Sequence, residues 1–426
     1  MMKRIIRLIL PSFLIDWYHF LLAFLGAIFY FSPSKDIKVI GITGTNGKST
    51  VVELATKILE EAGYKVASLS SIRFKIGEKE QPNLLKMTMP GRFQIQKFLR
   101  KAVNSACDYA ILEVTSEGIR QYRHKFIDFN VAVFTNLSPE HIESHGSFEK
   151  YREAKGKLFQ ATKNCHIINL DDENAKYFLQ FPANKKYGYT LSDKKKAENK
   201  QELFLVRCSL FSSGPDGISF EIQNSKFNLK LLGEFNISNA LAAICISLTQ
   251  NISLETCKSA LEKIKGIPGR MESIISESFK VFVDYAFTPV ALEKVYQTLV
   301  NNYKLPTAKL ICVLGAAGGG RDKWKRPILG EIAAKYCSEI IITNEDPYDE
   351  EPMKIIEDVS KGTGEKTKKI LDRRDAISYA LKSAQSGDVI IITGKGCEPW
   401  ICVAGGKKIP WDDRKVAKEE FSRLNL

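Results

Sequence analysis

The run VIGIT (39–43) leads without a break into GTNGKST (44–50), and STVVELATKILEEAGYK follows with the spacing of an amphipathic helix. A β-branched run, a glycine-rich turn and a helix in that order demand a buried strand with a crossover helix laid over it. The turn between them is built for an anion. Gly44 and Gly47 let backbone N–H groups converge, and the helix N-terminus adds its partial positive charge. Lys48 is placed to reach the β- and γ-phosphates of a nucleotide, and Ser49 to ligate magnesium. Thr45, Asn46 and Thr50 complete this loop. An incidental glycine turn is the alternative, and the strand–turn–helix context argues against it. The spacing departs from the general phosphate-loop pattern, because Gly41 precedes Gly47 by one residue too many.

The same alternation of strand and helix continues downstream. VASLSS (66–71), YAILEVT (109–115), VAVFTNL (131–137) and HIINL (166–170) read as buried parallel strands. A second series, VFVDYA (281–286), LICVLG (310–315), EIIITN (339–344) and VIIITGKG (389–396), begins after GIPGR (266–270). The expected fold is therefore α/β. A phosphate-loop ATPase domain with a mostly parallel sheet spans 37–266, and a Rossmann-like α/β domain spans 267–426. The strand-like segments from Leu203 to Leu232 read as a surface excursion or a small antiparallel subsheet.

Residues 1–36 are different in kind. IIRLILPSFLIDWYHFLLAFLGAIFYF (5–31) is strongly apolar but interrupted by Pro11, Asp16 and His19. Its unbroken part, Phe20 to Phe31, would make roughly 18 Å of helix against a hydrocarbon core of ~30 Å. Lys3, Arg4 and Arg7 precede it, and Lys35 and Lys38 follow, so both flanks belong on the cytoplasmic side of a bilayer. This favours an interfacial or re-entrant attachment to the cytoplasmic membrane face, kinked near Pro11, over a single crossing. A helix docked on the body and a cleaved signal are the alternatives.

Charge fits these readings. With 62 basic and 49 acidic residues the chain carries +13, which favours acidic partners such as nucleotides or an anionic membrane face. No aromatic-interleaved basic stripe or recognition-helix motif supports a nucleic-acid role. The nine cysteines are odd in number, scattered and include no C-x-x-C pair, which favours a reduced compartment with mostly buried thiols over a disulfide framework or a zinc site.

Further motifs recur in a recognisable order: EVTSEG (113–118), NLSPEHIESHGSFEKYREAKGKLF (136–159), NLDDE (169–173), GEFNISNALAA (233–243) and GIPGRME (266–272). VDYAFTP (283–289), GGGRDKWKRP (318–327), NEDPYDEEP (344–352), GKGCE (394–398) and PWDDRKVA (410–417) follow. With TGTNGKST they make residues 37–426 resemble the Mur ligases, most closely the tripeptide-synthetase branch. The resemblance implies an ATP-dependent ligase that joins an amino acid to a carboxylate on a muramoyl-peptide acceptor through an acyl phosphate.

It also implies roles for residues. Glu113 and His141 match magnesium ligands, with Ser49 on the nucleotide-bound ion. Lys155 matches a lysine that the family carbamylates, which would give a second magnesium site. Asn239 matches the adenine-contacting asparagine, with the cofactor-site candidate Asn236 beside it, and Arg270 and Asp284 match nucleotide contacts at the domain junction. Lys325 and Arg326 would neutralise phosphate charge on domain closure. Thr88, Ser116 and Arg123 match acceptor contacts. Glu345, Asp346, Tyr348 and Glu398 fall in the amino-acid motifs, and the enzyme would act as a monomer.

Departures accompany the matches. The apolar segment stands where the family has its N-terminal uridine-nucleotide-binding domain. Met89 replaces a polar residue, and Glu117 stands where a histidine is common. Tyr348 replaces the arginine that would clamp the distal carboxylate of meso-diaminopimelate, and Phe287 and Cys397 replace histidines. Poly-amino-acid or folylpolyglutamate-type ligation, and a membrane-bound nucleotide-binding protein without ligase activity, are the competing functions. The retained Lys48, Glu113, His141 and Lys155 weigh against the latter.

Overall fold

The computed structural model describes residues 11–85, 87–192, 203–303, 309–364 and 367–424. Nine strands form the larger sheet: β1 (Lys38–Thr43), β2 (Val66–Leu69), β3 (Arg73–Ile76), β4 (Lys79–Pro82), β5 (Tyr109–Glu113), β6 (Phe129–Phe134), β7 (Cys165–Asn169), β8 (Lys185–Thr190) and β9 (Leu203–Arg207). Their order is β4-β3-β2-β5-β1-β6-β7-β8-β9, and every pairing from β2 through β9 is parallel. The β2–β3 and β3–β4 pairings, at one edge, are antiparallel.

Both faces of this sheet are covered, which explains the unbroken apolar runs. Ile40, Ile42, Ile111, Val131 and Val133 pack with the helices Lys48–Glu61 and Phe235–Leu248. Their neighbours Val39, Ala110, Leu112, Ala132 and Phe134 pack on the other face with Leu99, Leu158 and Phe178. Part of the excursion after Leu203 belongs to this sheet as β9. The rest forms an antiparallel sheet of β10 (Phe211–Gly214), β11 (Gly217–Ile222) and β12 (Ser225–Leu229).

The second sheet has the order β13-β14-β18-β15-β16-β17, from β13 (Glu272–Ser276), β14 (Lys280–Val283), β15 (Leu310–Leu314), β16 (Glu339–Ile342), β17 (Thr367–Lys369) and β18 (Val389–Ile392). It is parallel except for the edge strand β13. A short antiparallel ribbon, β19 (Trp400–Cys402) with β20 (Lys408–Pro410), follows it.

The apolar segment forms a helix, Ser12–Phe29, that lies on the body. The expected interruptions do not break it: His19 pairs through Nδ1 with Arg92, and Asp16 is exposed. The stretch preceding Pro11 lies outside the described residues. Ala23 and Ala27 are buried, and a Cβ built on Gly26 would lie 3.5 Å from the Cα of Phe93, in van der Waals contact, so small residues bring the helix close against Arg92–Asn104. Phe20 and Phe24 meet Phe126 at ring separations of 5.2 and 5.5 Å. Arg100 ties off the end by donating to the carbonyls of Tyr30 and Phe31, each at 3.0 Å. Among the described residues no helix is long and apolar enough to cross a membrane. All nine cysteines are free, eight of them buried.

Candidate functional site

The C-terminal ends of adjacent strands β1, β5 and β6 open into one cleft of about 1150 Å³ that also takes its walls from the second sheet's loops. This is where open parallel sheets bind ligands. Gly47 makes the turn at φ +82° and heads the helix Lys48–Glu61. A side chain there would also strike Asn239 Oδ1 at 2.3 Å, so the close approach of loop and Asn239 requires glycine.

The loop is held from outside. Asn136 receives the Asn46 N–H at 2.9 Å and donates back to the Asn46 carbonyl at 3.0 Å. Thr45 N–H donates to the Asn136 carbonyl at 2.8 Å, and the Thr45 hydroxyl meets Tyr151 at 3.1 Å. Asn239 donates to Asn236 Oδ1 at 2.9 Å, and Asn236 donates to the Leu232 carbonyl at 2.8 Å.

Charge gathers directly beside the loop. Glu113, at the end of β5, accepts from the Ser49 hydroxyl at 2.8 Å and from the Ser71 N–H at 3.0 Å. Its other oxygen lies 3.8 Å from Lys48 Nζ, which donates to the Thr45 carbonyl at 2.8 Å. Burial lowers the Lys48 pKa, and Glu113 partly opposes that shift. From the other domain Arg270 reaches across to the Ser71 hydroxyl at 3.2 Å, its guanidinium 4.5 Å from the centre of the Tyr285 ring. Asp284 holds the turn beside it by accepting the N–H groups of Met271 at 2.7 Å and Ala286 at 2.6 Å, and burial raises its pKa.

Lys155 is the most unusual group. It is 2% exposed, donates to the Gly44 carbonyl at 2.7 Å and lies 4.5 Å from the centre of the Tyr151 ring. Burial, reinforced by the nearby Lys48, drives its pKa well below the usual lysine value. His141 sits in the left-handed region at φ +58°. Burial first, then Arg321 and three lysines, push its pKa down to about 2, which leaves the imidazole neutral with a lone pair to donate.

Thr88, Ser116 and Arg123 line one end of the cleft, together with Met87, Met89 and Gln121. Arg123 donates to the Met89 carbonyl and, at 2.7 Å, to Gln121. Tyr348, Glu398, Tyr285 and Arg321 line another part. There Glu398 accepts from the Tyr285 hydroxyl at 2.8 Å and from Lys395 at 2.7 Å.

Four expected residues do not line the cleft. Lys325 is buried in a 2.6 Å ion pair with Glu140, a residue of the opposite domain that does line it. Arg326 turns into its own domain, where Glu350 at 2.9 Å and Asp358 at 3.2 Å consume its charge. It is therefore not presented to phosphate in this arrangement. Glu345 is buried behind the wall. Asp346 is sequestered by Lys395, at 2.9 Å to each oxygen, and by the Cys402 N–H at 2.8 Å.

Sequence reasoning did not single out Asn136, Glu140, Tyr151, Tyr285, Arg321 or Lys395. Each lies inside or beside a quoted motif, but what marks it out is a partner from another strand or domain. Among the described residues no group of three or more His, Cys, Asp and Glu side chains could alone hold a metal. A magnesium ion here would rely on the Ser49 hydroxyl, Glu113 and oxygens of the nucleotide itself, with the neutral His141 imidazole in the same cleft. Hard oxygen donors of this kind suit it.

Fold and cleft together define a phosphate-loop nucleotide enzyme of two α/β layers closed on each other. Residues 42–247 match the Mur ligase middle domain, and residues 269–396 match the Mur ligase, glutamate ligase domain. A UDP-N-acetylmuramoyl-L-alanyl-D-glutamate–2,6-diaminopimelate ligase of Syntrophomonas wolfei is 40% identical over 415 residues, covering 93% of this chain and 81% of that protein. A UDP-N-acetylmuramyl-tripeptide synthetase of Roseiflexus is 34% identical, covering 95% and 82%. A solved 2,6-diaminopimelate ligase superposes with a TM-score of 0.59 at 29% identity, covering 92% of this chain and 79% of that one. The chain belongs to the Mur ligase family.

Proposed function

We propose that this Mur ligase uses ATP and magnesium to form an amide between an amino acid and the free carboxylate of a muramoyl-peptide acceptor. The supporting observation is the convergence of Lys48, Ser49, Glu113, His141 and Lys155 at the mouth of the phosphate loop, inside one cleft with Arg123 and Glu398. In this reading residues 37–266 bind the nucleotide and 267–426 bind the amino acid. The acceptor carboxylate attacks the γ-phosphate and ADP leaves. The incoming amine then displaces phosphate from the acyl phosphate and loses a proton.

Each residue's contribution follows from its environment. Lys48 and the loop N–H groups hold the β- and γ-phosphates, where charge accumulates in the transition state. Asn236 and Asn239 border the base, while Arg270 and Asp284 join the nucleotide to the second domain. Ser49, Glu113 and His141 would hold magnesium, which supplies charge neutralisation at the phosphate oxygens. Lys155 fits carbamylation: its lowered pKa favours the neutral amine, which adds CO₂ and releases a proton to become an anionic oxygen ligand for a second ion. Thr88, Ser116 and Arg123 would orient the acceptor, and Tyr348 and Glu398 the amino acid. Arg321 takes the place first expected of Arg326, facing the cleft while Arg326 is neutralised elsewhere. Attachment to a membrane surface and action as a monomer complete the proposal.

The test is phosphate release from ATP with acceptor and amino acid supplied separately and together. Release that needs both substrates supports ligation. Release indifferent to either would refute it.

A further inference from the structure

The helix Ser12–Phe29 uses only one of its faces to hold the body. On the other face Leu14, Trp17, Leu21, Leu25 and Ile28 recur at spacings of three or four residues, and all are exposed, Trp17 by 67% and Ile28 by 55%. Phe13, Phe29 and Phe31 extend the patch, Phe31 at 82% exposure. A stripe this apolar left facing water marks an interaction surface.

The charges around the helix choose the occupant. Lys35, Lys97, Lys101 and Lys125 are exposed, and of the exposed acids Asp16, Asp36 and Asp128 one, Asp36, is already paired with Arg100 at 3.2 Å, so the surroundings are basic on balance. Amphipathic tryptophan and tyrosine among aliphatic residues, flanked by lysines, suit the boundary of an anionic bilayer.

The position of the helix links that surface to the cleft. Arg92 pairs with His19 on the helix and donates to the Gln121 carbonyl at 2.8 Å. Phe20 packs edge-on against Tyr122 at 6.3 Å. Gln121 and Arg123, on either side of Tyr122, line the end of the cleft that also holds Thr88. The segment that would grip the acceptor is thus the one on which the helix is seated.

We infer that Ser12–Phe29 binds the surface of an anionic bilayer and thereby keeps the acceptor end of the cleft beside lipid, favouring an acceptor carried on that surface. The lipid part sharpens the membrane attachment proposed above, and the acceptor part rests on the ligase reading. The full chain is sedimented with vesicles of zwitterionic lipid and of zwitterionic lipid containing one-third anionic lipid. The comparison is Trp17→Glu/Leu21→Glu/Ile28→Glu, whose exposed positions leave the folded body intact by circular dichroism. Binding to anionic vesicles that falls at least tenfold in the triple variant, with loss of a lipid-induced blue shift absent from Trp17→Phe, supports the assignment. Absence of vesicle binding, or equal binding by the variant, overturns it. So does a concentration-dependent dimer lost in the variant without vesicle binding, which assigns the face to a second copy. Ligation is then compared for a vesicle-held and a water-soluble acceptor. A preference of tenfold or more for the former, abolished in the triple variant, supports the acceptor part, and equal rates overturn it. Because sedimentation needs no turnover, a failed ligase reading and a failed lipid surface give different results.

Discussion

Replacing Lys325 by methionine would leave the carboxylate of Glu140 facing the domain junction without its cation. Both partners are almost wholly buried, at 4% and 2% exposure, and lie 2.6 Å apart on segments 185 residues distant. Removing one member of a buried pair costs about 3–5 kcal/mol, because the survivor remains desolvated and charged. Two features put this site at the lower end. Glu140 lines the cleft, so water can reach it, and burial already raises its pKa, so it can escape by taking a proton. The expected loss is therefore about 2–3 kcal/mol at neutral pH. It should shrink as pH falls, since the unpaired carboxyl binds a proton that the pair does not. Glu140→Gln combined with Lys325→Met should recover much of the loss, giving a coupling energy of about 2 kcal/mol in a double-mutant cycle. Denaturant unfolding of the four proteins measures it. A single-variant cost below about 0.5 kcal/mol with no coupling would show that the pair does not hold the domains together.

Lys48→Ala should abolish ATP turnover and leave the circular dichroism spectrum unchanged, because Lys48 serves the loop rather than a core; retained turnover would refute its role. Lys155→Ala should be inactive and partly restored by short carboxylic acids, with wild-type rates in rigorously CO₂-free buffer counting against carbamylation. Between the lowered Lys155 pKa and 10.5 the unfolded chain binds more protons, so this residue makes stability rise with pH in that window. Lys155→Met should flatten that rise, measured by unfolding from pH 7 to 10. With Tyr348 in the amino-acid motif, no strong selectivity for meso-diaminopimelate over lysine is expected. Tyr348→Arg should add a preference of roughly 10- to 100-fold for the dicarboxylate, about 1.5–3 kcal/mol for a charge-assisted bond.

The parts of the fold written in local pattern were legible in advance. The strands at VIGIT, YAILE and VIII show themselves as β-branched runs because both sides of the sheets are buried. The hairpin β3–β4 was not visible: RFKI is only four residues and KEQP is polar and exposed throughout, at a sheet edge where no burial pattern is imposed. Asp16 and His19 looked like helix interruptions because the sequence could not disclose Arg92 as a partner or solvent beside Asp16. The same reason explains the site. Lys48, Ser49 and Glu113 sit at strand ends where spacing alone points to chemistry. Lys325 and Arg326 are adjacent cations on one helix, yet a glutamate from the other domain claims one and two acids of its own domain claim the other.

The central claim is that the acceptor carboxylate attacks ATP before the amine arrives, and one isotope experiment tests it directly. An acceptor with both carboxylate oxygens labelled with ¹⁸O is turned over with unlabelled ATP and amino acid, and the released phosphate is analysed by mass. The account predicts one ¹⁸O atom in each phosphate and the other in the new amide. Phosphate free of label, alongside amide product, would contradict it.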